Sequence, residues 1–343
     1  MIKVSPPLAQ LWQRGAEFLG TPLAIMGGAM TWVSERHLVA ALSNAGAFGV
    51  LASGAMPPAI LDAEIKATQA LTRQPFGVNL ITLHPQHEEL IAVCLANNVS
   101  HFVLAGGVPT AQAIKLIKDA GRKVMCFTPA VALGKRLVKH GADALVIEGM
   151  EAGGHVGPVS TSVLAQEILP EISDVPVFVA GGIGRGEAVL SYLHRGAAGV
   201  QLGTRFVCAE ESIAHPNFKQ AFIRAAARDA LPTVQLDARF PVIPVRAIVN
   251  NGTRNFMIKQ REVIARFDAG ELTKEAAQLE IEHYWAGALR RAVIDGDVEN
   301  GSLMAGQSVG MVKSIQPVAT ILAELVGQAE AALTPPHSAN GVK

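Results

Sequence analysis

A single histidine, His155, stands in the run EGMEAGGHVG that begins at residue 148, directly after the apolar stretch ADALVI. An imidazole changes charge near neutral pH, so here it can donate a hydrogen bond to a ligand or move a proton. Gly153 and Gly154 beside it lack the Cβ that would hold a flat ligand away from the backbone. Glu148 and Glu151 lie in the same run, and two readings of them stay open: contact with a ligand or cation, or capping of the next helix. The run has no second histidine or acid cluster of the kind a catalytic metal needs, so no metal site is expected.

Two other runs are glycine-rich, AGGIGRG from residue 180 and QLGTR from residue 201. Backbone N–H groups left open by such turns, next to a helix start, bind phosphate, which makes Gly181, Gly182, Gly203 and Thr204 candidate phosphate ligands. Small or polar residues also close other apolar runs: GGAM at 27–30, Asn79, Gly106 and Gly107.

These residues need a frame that brings them to one face. From about residue 22 the chain alternates short β-rich runs with amphipathic helical stretches. The strands read as 22–28, 47–53, 75–81, 101–107, 123–129, 142–149, 175–182 and 198–206. Helical patterns closed by glycine lie between them, as at 33–46, 109–121 and 130–142. Eight such units predict an α/β fold, a (β/α)8 TIM barrel whose working face is the C-terminal end of the strands, with an open doubly wound sheet as the alternative. His155 and the glycine-rich turns all fall on that face.

After the eighth strand the β-rich runs stop. Residues 15–206 and 301–328 read as the barrel, residues 207–300 as a mainly helical insertion or lid on the substrate side, and residues 333–343 as a disordered tail.

Lys plus Arg and Asp plus Glu balance at 29 each in 343 residues, which gives no electrostatic reason to expect nucleic acid or an anionic membrane. A small-molecule substrate is the expected partner. Cys94, Cys126 and Cys208 lack the paired spacing of zinc or redox sites and read as buried reduced thiols. The first residues carry no long apolar core of a secretion signal, so a cytoplasmic protein is expected.

The runs MGGAMTWV, PFGVN, EGMEAGGHVG, VAGGIGRG, VQLGTRF, HPNFK and GSLMAGQSVGMV together resemble the nitronate monooxygenase family of FMN-dependent TIM barrels, formerly 2-nitropropane dioxygenases, which includes flavin-type enoyl-acyl-carrier-protein reductases. The resemblance covers roughly residues 15 to 325. It implies FMN across the barrel mouth, with its phosphate on Gly181, Gly182, Gly203 and Thr204, with Gln201 nearby and with Ala180 among the cofactor-binding residues. It further implies that Gly28, Ala29 and Met30 line the flavin ring, that Asn79 hydrogen-bonds it, that Glu148, Gly153 and Gly154 lie close, and that Met304, Ala305, Gly306 and Gln307 close the site. His155 matches the family's active-site histidine. The sequence departs from the family at Gly27, where glutamine is usual.

The activity implied first is oxidation of an alkyl nitronate with oxygen to a carbonyl compound and nitrite. The alternatives are NAD(P)H-dependent reduction of an enoyl thioester or a quinone, with the nicotinamide as a transient co-substrate, and a flavin-free barrel that binds a phosphorylated metabolite. The sequence leaves the oligomeric state open, a homodimer being one option.

Overall fold

The computed structural model describes residues 2–333. The expected tail therefore falls outside the described residues except for Leu333, which is the last residue of the helix Val318–Leu333 and not disordered.

Eleven strands are present in chain order among the described residues: β1 (Ile25–Gly27), β2 (Phe48–Ala52), β3 (Gly77–Ile81), β4 (His101–Ala105), β5 (Lys123–Phe127), β6 (Ala144–Glu148), β7 (Gly154–His155), β8 (Val177–Ala180), β9 (Gly199–Leu202), β10 (Ala230–Pro232) and β11 (Val245–Ile248). Strands β1 to β6, β8 and β9 pair in parallel and close on themselves, since Met26 of β1 lies opposite both Phe48 of β2 and Gln201 of β9. Their residues are near-continuous Val, Ile, Leu and Phe, as a sheet buried on both faces requires. The expected α/β TIM barrel is the observed fold. Each sequence-read strand is present but shorter, because glycines such as Gly106 and Gly107 leave the ladder at its C-terminal end.

Helices pack around the strands, and one pair plugs the N-terminal end of the barrel. Phe18 of the helix Gln13–Leu19 meets the ring of His101 edge-on at 5.2 Å, and a Cβ at Gly15 would come within 2.1 Å of the Ala198 carbonyl oxygen. The three cysteines are buried and unpaired, and burial pushes their thiols up to about 12.

The segment after β9 corrects one expectation. It holds helices, including Asn251–Asp268 and Lys274–His283, but also the two strands β10 and β11. Together with β7 they form a second, antiparallel sheet in the order β10-β11-β7. These strands are three and four residues long and pair across distant sequence, so no local alternation announced them. The segment also has a small apolar cluster of its own around Phe240, Phe256, Val263, Ala277 and Ile281.

Candidate functional site

The C-terminal ends of β8 and β9 form a polar corner. Gly181 and Gly182 have φ values of 102° and 70°. Glycine adopts such a left-handed pair without strain. Their N–H groups, and those of Gly203 and Thr204, have no acceptor among the described residues. Four open donors on two adjacent turns, all just beyond the strand ends, are chemically suited to a phosphate. A cavity of about 470 Å³ opens beside them, lined by Glu151, Gly182, Tyr192, Arg228 and Gln307 among others. Arg228 is exposed there, with no acidic partner for its guanidinium among the described residues. Sequence reasoning missed Arg228 because it comes from the segment after β9, where no motif marks it.

Across the mouth, β1 runs into residues 28–30. A Cβ on Gly28 would lie 3.1 Å from the Gln201 amide, so the bare glycine leaves Gln201 facing the mouth. Gln201 is 8% exposed and its amide finds no partner among the described residues. With no protein partner, that amide is available to a ligand. Asn79 is buried as well and donates through Nδ2 to the Val103 carbonyl at 3.1 Å, while its Oδ1 has no partner among the described residues. Met30 lies against Gly203, and its N–H donates to Ser34 Oγ, which itself donates to the Gly28 carbonyl at 2.8 Å. Ser34 thus fixes the turn after β1, a role the sequence did not disclose.

Gly27 points the other way. A Cβ there would come within 2.3 Å of Leu42 Cδ1 on the helix Arg36–Asn44, on the outer face of β1. A glutamine at 27 in this chain would be directed into that helix and away from the mouth.

The turn after β6 carries Glu148 and His155. Glu148 is partly buried at the strand end, no donor reaches its carboxylate among the described residues, and desolvation pushes its pKa up to about 7. Glu151 has a clear structural partner. Its Oε2 accepts the Thr161 N–H at 2.8 Å and the Thr161 hydroxyl at 2.9 Å. The carboxylate thereby satisfies an otherwise open donor at the start of the helix Thr161–Ile168.

His155 lies on β7, opposite Val245 of β11. Its surface is exposed, neither ring nitrogen has a partner among the described residues, and crowding by protein on one side lowers its pKa. The imidazole is therefore uncharged at neutral pH and free to donate or accept.

Residues 304–307 close over this turn. The Gln307 N–H donates to the Glu151 carbonyl at 2.9 Å, the Gly306 N–H to Thr204 Oγ1 at 2.9 Å and the Ala305 N–H to the Arg246 carbonyl at 3.3 Å. A Cβ on Gly153 would lie 2.6 Å from the Ala305 carbonyl carbon and 2.6 Å from the Gly306 nitrogen. Gly153 thus admits the backbone of the closing segment, whereas a Cβ on Gly154, whose φ is 80°, would meet only Met304 Sδ at 3.7 Å. Met304 bridges to Ala247 of β11 and its sulfur lies beside Gly154.

On the opposite rim Trp32 has a φ of 69°, and Arg290 lies over its ring at 5.9 Å from the centroid. That backbone conformation is strained for a bulky residue. The segment after β9 thus touches the turns after both β1 and β6.

The structure therefore places the candidate residues at or beyond the C-terminal ends of the strands, except Asn79, which is the middle residue of β3. No helix among the described residues is long and apolar enough to cross a membrane.

The family model described as nitronate monooxygenase matches residues 14–130 and 86–328. The protein is 28% identical over 336 residues to a (3aS,4S,5R,7aS)-5-hydroxy-7a-methyl-1-oxo-octahydro-1H-indene-4-carboxyl-CoA dehydrogenase of Rhodococcus jostii, covering 91% of this chain and 94% of the relative. Among solved structures, FabK from Thermotoga maritima superposes with a TM-score of 0.84 at 33% identity, covering 93% of this chain and 96% of the other. A nitroalkane oxidase from Streptomyces ansochromogenes superposes with a TM-score of 0.76 at 25% identity, covering 93% and 98% respectively. With the family model spanning nearly the whole barrel and the site, the chain belongs to the nitronate monooxygenase family of oxidoreductases, a membership that implies a flavin.

Proposed function

We propose that the protein is an FMN-dependent oxidoreductase that uses NAD(P)H to reduce the carbon–carbon double bond of an enoyl thioester. Gly181, Gly182, Gly203 and Thr204 would hold the FMN phosphate through their open N–H groups. Ala180, ending β8, would bring these donors to the phosphate, while Gly28, Ala29 and Met30 would line the ring, with Asn79 and Gln201 offering amides and Glu148 nearby. When bound, the flavin supplies hydride transfer from the nicotinamide to the β-carbon of the substrate.

The observation that carries this reading is His155, an exposed, unpartnered and uncharged imidazole on the rim. A neutral imidazole donates a hydrogen bond through its N–H to the thioester carbonyl and stabilises the charge that develops there, while the α-carbon takes its proton from water. It is less suited to holding a preformed nitronate anion, for which a fixed cation serves better. The similarity to a dehydrogenase of a carboxyl-CoA compound over nearly the full length of both chains supports a thioester substrate.

Nitronate oxidation is the second reading, supported by the family description and by the likeness to a nitroalkane oxidase. Anaerobic mixing of flavin-loaded protein with NADH, NADPH or propyl-2-nitronate, with the visible flavin band followed, separates the two. Bleaching by a reduced nicotinamide, and recovery of the band on adding crotonyl-CoA, is the expected result. Bleaching by the nitronate alone would overturn it, recovery on a quinone alone would move the reading to a quinone reductase, and a protein that takes up no FMN would return it to a phosphate-binding barrel.

A further inference from the structure

Arg246 is 2% exposed, yet none of the hydrogen bonds from its guanidinium goes to a carboxylate among the described residues. Nε donates to the Met150 carbonyl at 2.8 Å and Nη1 to the Ala230 carbonyl at 2.5 Å. Burying a guanidinium against neutral acceptors is costly, and a methionine of similar length would fill the same space without that cost. The Glu151 carboxylate favours the charge through space but takes no hydrogen bond from it, so the two carbonyl contacts need a reason of their own.

The sheet register supplies one. Arg246 lies opposite Gly154 and Val245 opposite His155 across the β11–β7 ladder. Side chains alternate between the faces of a strand, and directly opposed residues share a face. His155 therefore projects with Val245 from one face, while Arg246 lies beneath the ladder and reaches back to Met150, two residues beyond the end of β6.

His155 has no hydrogen bond of its own to fix its ring among the described residues, and the chain that leads to it contains Gly153 and Gly154. Its place on the rim depends on the two-residue ladder to β11, continued by the Val156 N–H to the Pro244 carbonyl at 3.0 Å. Arg246 joins that ladder to the barrel through Met150, to β10 through Ala230, and to the closing segment through its own carbonyl and the Ala305 N–H.

We propose that Arg246 is the positioning residue of the site: from beneath the β7–β11 ladder, it holds His155 at the height and angle that a hydrogen bond to the thioester carbonyl requires. The proposal rests on the role given to His155 above.

The test uses the flavin-loaded full-length protein with NADH and crotonyl-CoA. Arg246→Met is expected to keep its flavin and to lose ~10–100-fold in kcat with little change in KM, the size of effect that a displacement of about 1 Å produces. Arg246→Lys, which can still donate to one carbonyl, is expected to recover part of that loss. In a His155→Ala background, Arg246→Met is expected to cost nothing further, since residues that act through one another are not additive. An equal loss in that background, or loss of flavin and fold in both Arg246 variants, would overturn the proposal. If the wild type does not turn over crotonyl-CoA, the functional reading fails, and the His155 ring resonances still decide the positioning role. They are expected to shift in Arg246→Met, and unchanged resonances would overturn it.

Discussion

Thr204 Oγ1 accepts the backbone N–H of Gly306 at 2.9 Å, a buried bond that joins the end of β9 to a segment 102 residues later. One hydroxyl thereby sets the distance between the phosphate corner and the segment that closes over the turn after β6. Thr204→Val keeps the shape and leaves the Gly306 N–H without an acceptor, at a cost of about 1–3 kcal/mol. The expected result is a lower melting temperature and weaker FMN binding, read by thermal melts and by titration of flavin fluorescence. Unchanged FMN affinity would show that the closing segment does not bear on the cofactor.

Gly153 offers a steric test of the same closure. Its missing Cβ would meet the backbone of Ala305 and Gly306 at 2.6 Å, and backbone cannot swing aside as a flexible side chain can. Gly153→Ala is expected to destabilise the protein by roughly 1–3 kcal/mol and to lower turnover together with it. Gly157→Ala, where a Cβ meets nothing within 4 Å, is the matched control and is expected to be near neutral on melting.

What the sequence disclosed follows from the range over which each signal acts. Runs such as HFVLA and ALVIE are buried on both faces, so their apolar residues mark β4 and β6 without reference to any partner. The glycine-rich turns after β8 and β9 were legible for the same local reason. Arg228, Arg246 and the strand β11 were not, because their meaning comes from contacts with distant parts of the chain, as in the bond between Arg246 and Met150, which are 96 positions apart. The glycines at 153 and 306 were visible, but only the folded backbone reveals that each makes room for the other's segment.

The base of the barrel carries a pH dependence separate from the site. His101 starts β4, is 4% exposed, and uses both ring nitrogens. Nε2 donates to the Phe18 carbonyl at 2.8 Å, and Nδ1 accepts from the Ser100 hydroxyl at 2.8 Å. A neutral imidazole offers one donor and one acceptor, and both are used here. Desolvation lowers the His101 pKa to about 4 from an ordinary 6.5. The unfolded chain therefore binds the proton more readily, and the stability tied to neutral His101 is full above pH 6.5 and is lost as pH falls towards 4. The expected loss is on the order of 3 kcal/mol over that window. His101→Gln is expected to flatten this part of the stability–pH curve in denaturant titrations, and an unaltered slope would remove His101 as its source.

Glu148 gives the opposite sign. Its pKa is raised from 4.5 to about 7, so the folded state holds the proton better than the unfolded chain does. Its ionisation opposes folding fully above pH 7, and that penalty fades as pH falls to 4.5. Glu148→Gln is expected to raise stability at pH 8 by about 1–3 kcal/mol and to change little near pH 4.5. Thermal melts at the two pH values check it.

His155 is the residue on which the chemistry turns. It lies on the rim, contributes no side-chain hydrogen bond to the fold among the described residues, and stands on a ladder held from below. His155→Ala should therefore leave both the fold and the flavin in place, while removing a hydrogen-bond donor to developing charge that is worth roughly 10²–10³-fold in rate. The two half-reactions divide that loss. Flavin reduction by NAD(P)H develops no charge on a thioester carbonyl and is expected to stay near the wild-type rate, whereas reoxidation by the enoyl thioester is expected to carry nearly the whole loss. Stopped-flow measurement of each half-reaction checks this. If reduction slows and reoxidation does not, the imidazole serves the nicotinamide and not the thioester.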